Sequence, residues 1–97
     1  MSSKKAPELV VKDPKENRRV HFNFEKDLQT GESLEGTPLF SVTPDDEILE
    51  IDQVSVSGTF AEVMYKSGVK ERKYEVECTV SATGGQIYVG RHDLLVI

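Results

Sequence analysis

The sequence contains 97 residues, which suffice for one domain with a thin hydrophobic core and are too few for two. Hydrophobic residues make up 37% of the chain and charged residues 30%, a balance typical of a folded domain rather than a disordered segment. Acidic residues outnumber basic ones by 17 to 12, and the resulting charge of -5 argues against nucleic acid and anionic membrane surfaces as partners.

Residues 1–14 read as an N-terminal arm that carries one short strand, and residues 15–97 as the domain that follows it. Polar termini that contain proline fray unless a neighbour holds them. We therefore expect the apolar residues of the arm to pair on a sheet edge, and its lysines to meet acidic groups of a partner. The alternative is that the apolar residues are the first strand of the chain's own fold. The candidate interface residues are Lys4, Lys5, Leu9, Val10 and Val11.

The first clear strand lies within residues 18–25, where polar and apolar residues alternate. The alternation places Val20, Phe22 and Phe24 on one face, which is the pattern of a half-buried strand. Gly31 then supplies a positive φ at no steric cost and indicates a turn.

The middle of the chain predicts an edge strand and an irregular strand. The apolar stretch between Pro38 and Pro44 suits a sheet edge, because proline has no N–H to donate to a neighbouring strand. Residues 48–57 follow with apolar residues in two phases. The phase slips by one near Asp52 and Gln53, which predicts a bulge or two separate strands.

Two strongly alternating segments follow, residues 61–65 and residues 74–80, and a turn at Lys66-Ser67-Gly68 lies between them. We expect them to pair as antiparallel neighbours. The last strand starts with Ile87 and shifts phase around Gly90, so a bulge is predicted from Gly90 to Asp93. The predicted core residues are Val20, Phe22, Phe24, Val63, Tyr65, Tyr74, Val76, Cys78 and Val80.

The sequence predicts no catalytic residue, no cofactor site and no metal site. Cys78 is the single cysteine, which excludes an intrachain disulfide, and its apolar phase predicts an inert buried thiol. The acidic turn at residues 45–47 is interpreted as solvated. The run Arg91-His92-Asp93 resembles a catalytic fragment, but neighbours on a strand point to opposite faces and no serine motif accompanies it. We interpret these three residues as surface or bulge positions.

The start of the chain lacks the apolar centre of a secretion signal, and no apolar run approaches the roughly 20 residues that span a bilayer. We therefore expect synthesis in the cytoplasm and no membrane partner.

Six or seven short strands without helical periodicity predict an all-β sandwich or a small barrel. The pattern from Gly68 through Tyr74 to Gly85-Gln86 resembles the last hairpin of bacterial and phage immunoglobulin-like domains. This resemblance implies an immunoglobulin-like antiparallel β-sandwich of about seven strands over residues 15–97. It also implies that Tyr74 is a corner tyrosine, with its ring in the core and its hydroxyl bonded to backbone.

A narrower resemblance covers residues 24–97. The turn Asp27-Leu28-x2-Gly31-Glu32-x-Leu34, with Val42, the Tyr74 strand and Gly85-Gln86 after it, is similar to small immunoglobulin-like structural proteins of tailed bacteriophages, which include fibre-tail adaptor proteins. In that group the chain crosses between the two sheets after this turn, which we also expect here.

The resemblance implies a non-enzymatic structural virion protein, made in the host cytoplasm, that bridges subunits at the neck, tail or fibre attachment site. Its partners would be other virion structural proteins of the neck, tail, fibre or capsid, in a symmetric assembly with multiple copies. Two alternatives stay open. One is a capsid decoration protein. The other is a carbohydrate-binding or adhesive module, for which Phe60 and Tyr88 are the candidate sugar-stacking rings because they are out of phase with their apolar neighbours.

Overall fold

Seven β-strands make up the regular structure of residues 8–97, the part of the chain that the computed structural model describes. In chain order the strands are β1 Leu9–Lys12, β2 Arg18–Asn23, β3 Leu34–Thr43, β4 Leu49–Ser57, β5 Phe60–Ser67, β6 Arg72–Ala82 and β7 Ile87–Val96.

The strands form two sheets that pack face to face. The four-stranded sheet has the order β1-β7-β6-β3, and the three-stranded sheet has the order β2-β5-β4. β1 runs parallel to β7, and every other pair is antiparallel. The prediction of an all-β sandwich of about seven strands is confirmed, and β3 lies at a sheet edge as the flanking prolines indicated.

The core lies between the sheets because successive side chains of a strand point to opposite faces. The residues that alternation assigned to the core are each at most 5% exposed. Leu34, Leu94 and Val96 complete this layer from β3 and β7. Phe22 contacts Phe24 and Phe40, with ring centroids 6.5 Å and 5.8 Å away, so β2 and β3 meet through aromatic rings.

The predicted pairing of residues 61–65 with residues 74–80 is wrong. β5 pairs with β2 and β4, whereas β6 pairs with β3 and β7 in the opposite sheet. The connection crosses between the sheets at Gly68, whose φ is +100° and whose absent Cβ would lie 2.8 Å from Cγ2 of Val96. A period of two shows that a strand buries one face, but it does not distinguish a neighbour within the sheet from a strand packed opposite.

The bulge predicted near Asp52 and Gln53 is confirmed. The register of β4 with β5 shifts between Asp52 and Ser55, and Gln53 has a positive φ of 49°. The predicted crossing after Phe24 is also confirmed, since β2 and β3 belong to different sheets and Gly31 has a φ of +81° in the connection.

The bulge predicted from Gly90 to Asp93 is wrong. β7 pairs with β6 without interruption from Ile87, opposite Ser81, to Val96, opposite Arg72. The inward positions of β7 alternate from Tyr88 to Val96, and a glycine and a histidine occupy two of them. Because these two inward residues are not apolar, the sequence pattern places Ile87 on the inner face, whereas its side chain is 66% exposed on the outside.

Candidate interaction surface

His92 lies in the core rather than on the surface, so the interpretation of Arg91-His92-Asp93 as surface or bulge residues is wrong for this position. The ring is 5% exposed and lies beside the rings of Phe22 and Tyr65, with centroids 5.2 Å and 5.5 Å away. Its Nδ1 lies 2.9 Å from the carbonyl oxygen of Asp93, to which it donates. Its Nε2 therefore accepts from the hydroxyl of Tyr65 at 2.6 Å.

Burial controls the protonation of these inner groups. It lowers the pKa of His92 and raises the pKa of Tyr65, because the charged form of each loses its hydration between the sheets. Burial also raises the pKa of Cys78 to about 12. The pair of His92 and Tyr65 thus satisfies two polar groups of the core, and the Cys78 thiol stays protonated at neutral pH.

Tyr74 closes the corner between the sheets. Its ring is fully buried, and its hydroxyl accepts the N–H of Val69 at 2.8 Å. The same hydroxyl donates to Oδ2 of Asp46 at 2.7 Å. The bond to Val69 is the backbone contact that the resemblance implied for a corner tyrosine.

Asp46 is a structural residue that the sequence did not reveal. Its Oδ2 also accepts from Arg72 at 2.8 Å, and its Oδ1 accepts the N–H groups of Ile48 and Leu49 at 2.9 Å and 3.2 Å. The hydrogen bond from Tyr74, helped by these others, holds the pKa of Asp46 well below its usual range. The available signal was an aspartate three residues before a strand, a position from which its carboxylate bonds the backbone N–H groups that follow. Among residues 8–97, no group of three or more acidic, histidine or cysteine side chains is arranged to hold a metal ion.

β1 divides its side chains between the core and the outside. Val10 is 4% exposed, so its assignment as an interface residue is wrong because its side chain faces the core. Leu9 and Val11 face outward and are 49% and 38% exposed. Lys4 and Lys5 lie outside the described residues.

Lys12, also on the inner side of β1, is fully buried. Its Nζ donates to the carbonyl oxygen of Asp13 at 2.8 Å and to that of Ser67 at the end of β5. Burial lowers the pKa of Lys12, and the nearby carboxylates of Glu16 and Asp13 oppose this effect. Lys12 therefore joins the edge of one sheet to the end of a strand in the other.

The outer face of the three-stranded sheet is polar and covered with ion pairs. Glu62 bonds Arg19 at 3.3 Å and His21 at 2.9 Å. Lys66 bonds Asp52 at 2.7 Å. Arg19, Lys66, Glu62 and Asp52 are thus paired with charges of opposite sign on this face.

We call the outer surface of the four-stranded sheet the docking face. It combines exposed hydrophobic residues with acidic and basic ones, and a shallow groove of about 540 Å³ crosses its centre. The register across β3, β6 and β7 lines up Leu39, Thr79 and Val89 in one row, and Ser41, Glu77 and Arg91 in the next. Its outward side chains include Leu9, Val11, Leu39, Lys73, Glu75, Glu77, Ile87, Arg91 and Asp93.

The two candidate sugar-stacking rings do not form a platform. Phe60 is 42% exposed on the outer face of the three-stranded sheet, where His21 lies against it at a centroid distance of 6.1 Å. Tyr88 lies on the inner phase of β7 in the other sheet and packs partly against the core. Its hydroxyl donates to Glu32 at 2.9 Å. The two rings therefore belong to different surfaces.

No helix among residues 8–97 has the length and apolar character needed to cross a membrane.

Comparison with known proteins agrees with this architecture. No curated protein matches the sequence. A solved structure described as the solution structure of the PKD domain from KIAA 1837 protein matches with a TM-score of 0.54 and 14% sequence identity. The match covers 99% of this chain and 88% of that chain. At this identity the likeness concerns the fold alone, and it confirms the predicted immunoglobulin-like sandwich.

A protein-family model described as podophage GP4 fiber-tail adaptor protein gp77 matches residues 12–94. The matched range begins at the last residue of β1 and ends within β7, so it includes the whole three-stranded sheet, β3, β6 and most of β7. The resemblance to phage fibre-tail adaptor proteins is thereby confirmed, and the chain belongs to the podophage fiber-tail adaptor protein gp77 family.

Proposed function

We propose that this protein is a non-enzymatic structural part of a phage particle that bridges subunits at the neck, tail or fibre attachment site. The family match over residues 12–94 carries the proposal, because that family consists of fibre-tail adaptors. The proposal includes assembly in several copies around a symmetry axis, with partners among the other tail and fibre proteins.

The chemistry of the chain supports a binding role. The buried thiol of Cys78 is protonated at neutral pH, and His92 is enclosed in the core with both ring nitrogens bonded. A nucleophile needs an accessible activating base, and neither residue meets that requirement. A bridge, by contrast, needs separate contact surfaces, and the sandwich has two outer faces of different character.

The edge strands favour contact through faces rather than through added strands. β1 has only four residues, β3 contains Pro38 and a register shift, and β4 contains the bulge at Gln53. Arg18 and Arg19 stand on the edge strand β2. Short strands, prolines, bulges and charges are features that prevent strand pairing at open edges.

The test is a phage in which the gene is deleted. We expect particles with complete heads that lack attached fibres, and we expect the full chain supplied from a plasmid to restore attachment. Electron microscopy and host adsorption measure the two effects. Particles that keep their fibres while their heads lose stability would instead indicate a capsid decoration protein. Loss of host adsorption with all fibres in place would favour a carbohydrate-binding module.

A further inference from the structure

The docking face is more apolar than the opposite face of the sandwich. Seven large hydrophobic side chains are exposed within residues 8–97. Four of them, Leu9, Val11, Leu39 and Ile87, belong to the docking face, and Leu39 and Ile87 are 70% and 66% exposed. Among the described residues, the outer face of the three-stranded sheet has one exposed large hydrophobic side chain, Phe60. Exposed apolar groups gathered on one face mark a surface that another protein covers.

The groove between these apolar groups has an excess of negative charge. Its lining contains the acidic residues Glu8, Glu75, Glu77 and Asp93 and the basic residues Lys73 and Arg91. Both bases are engaged, since Lys73 lies 3.6 Å from Asp93 and Arg91 lies 2.8 Å from Glu77. Glu75 is exposed and forms no ion pair with any residue from 8 to 97, so it keeps an uncompensated charge on the inner strand β6.

We infer that the docking face binds a tail or fibre protein through a surface that presents a lysine or arginine over Glu75 with apolar side chains on either side of it. This inference rests on the proposed adaptor function and specifies the surface and the chemistry of the partner. A cationic group beside Glu75 gains from the negative potential of the groove, which also speeds association. Apolar partner side chains cover Leu39 and Ile87 at one end and Leu9 and Val11 at the other.

Other occupants fit this face less well. A second copy of the chain placed face to face would set the acidic groove against an equally acidic groove, and like charges across an interface disfavour association. A sugar would find no ring to stack on, because the outward positions of β1, β3, β6 and β7 contain no aromatic residue.

The experiment uses purified particles from the deletion phage as the probe and the full chain as the ligand. Bound chain is quantified after sedimentation, at low and at high salt. Glu75→Lys and Leu39→Ser change exposed residues of the docking face. Glu50→Lys and Phe60→Ser are the matched controls, because they make the same kinds of change at exposed positions of the opposite sheet. Thermal unfolding verifies that each variant is folded.

We expect Glu75→Lys and Leu39→Ser to weaken binding roughly tenfold or more, and both controls to bind like the wild type. Salt should weaken wild-type binding more than it weakens binding of Glu75→Lys. If both docking-face variants bind like the wild type while the deletion phage lacks fibres, the inference is wrong and the adaptor function stands. If the deletion phage keeps its fibres and its particles bind no chain, the adaptor function fails and the inference fails with it.

Two further outcomes name a different occupant and would also overturn the inference. In one, sedimentation of the isolated chain shows a dimer that Glu75→Lys dissociates. In the other, a chain that lacks residues 1–6 no longer binds the particles, whereas both docking-face variants still bind them. That result would assign the contact to the N-terminal arm.

Discussion

Replacement of Tyr74 by phenylalanine tests how the corner between the sheets is held. The change keeps the buried ring and removes one hydroxyl, which accepts the N–H of Val69 at 2.8 Å and donates to Asp46 at 2.7 Å. A hydrogen bond within a protein contributes about 1 kcal/mol to stability, so loss of both should cost about 1 to 2 kcal/mol. For a domain of this size that loss lowers the melting temperature by roughly 5 to 15 °C.

Circular dichroism during heating measures the change, and three further variants make the result specific. Tyr74→Ala also removes the ring and should cost about 3 to 5 kcal/mol. Tyr88→Phe removes a hydroxyl that bonds Glu32 nearer the surface and should have a smaller effect than Tyr74→Phe. Asp46→Asn combined with Tyr74→Phe should cost less than the sum of the two single changes, because the two residues share a hydrogen bond. Melting of Tyr74→Phe within about 2 °C of the wild type would refute the reasoning.

Four other predictions concern single positions. Folding lowers the pKa of His92, so the unfolded chain binds a proton at a higher pH than the folded chain does. The contribution of neutral His92 to stability should be complete above about pH 6.5 and decrease as the pH falls below that value. Melting temperatures measured from pH 8 to 5 should show a weaker pH dependence for His92→Gln than for the wild type. Cys78 should resist a thiol reagent in the native protein and react only under denaturing conditions; rapid native labelling would contradict the burial of its thiol. In urea unfolding, Gly68→Ala should destabilise the domain more than Gly31→Ala does. Both glycines have a positive φ, but of the two only Gly68 has a side-chain atom, Cγ2 of Val96, 2.8 Å from the position of the new methyl group. Lys12→Ala should lower the urea midpoint more than Lys12→Met, since methionine keeps the buried stem; equal midpoints would show that the apolar part of the side chain contributes nothing.

The sequence carries the strand content and most of the core because a period of two is a direct consequence of strand geometry. Val20 and Phe22 in β2, and Val76 and Cys78 in β6, alternate with polar residues and are all buried. The slip at Gln53 was visible for the same reason, since an extra residue shifts every later side chain to the other face.

Sheet membership was not encoded in that pattern. β5 and β6 alternate equally well, yet they belong to opposite sheets, and only the crossing at Gly68 separates the two arrangements. In β7 the polar ring of His92 occupies an inward position at which an apolar residue would have identified the inner face of the strand. His92 is accommodated there by Tyr65, a partner 27 residues away, which no local pattern reveals.

The interaction surface was the least predictable part. The apolar character of Leu9 and Val11 made them interface candidates, but Val10 between them is a core residue. Lys12 is buried, although lysine lies on the surface of most folded proteins. The docking face itself arises only when four strands from distant parts of the chain are placed side by side. Its unpaired acid, Glu75, has no distinguishing mark in the linear sequence.

The parallel pairing of β1 with β7 has a mechanical consequence. The two strands run side by side from Leu9, opposite Asp93, to Lys12, opposite Val96. Backbone bonds from Asp93 to Glu8 and from Ile97 to Lys12 continue the ladder at both ends, at 2.8 Å and 2.9 Å. A force that pulls the chain before β1 away from the chain after β7 acts along the strands, so it loads these bonds together in shear instead of opening them one after another. The strands must slide past each other before they separate, so the domain resists tension along this axis.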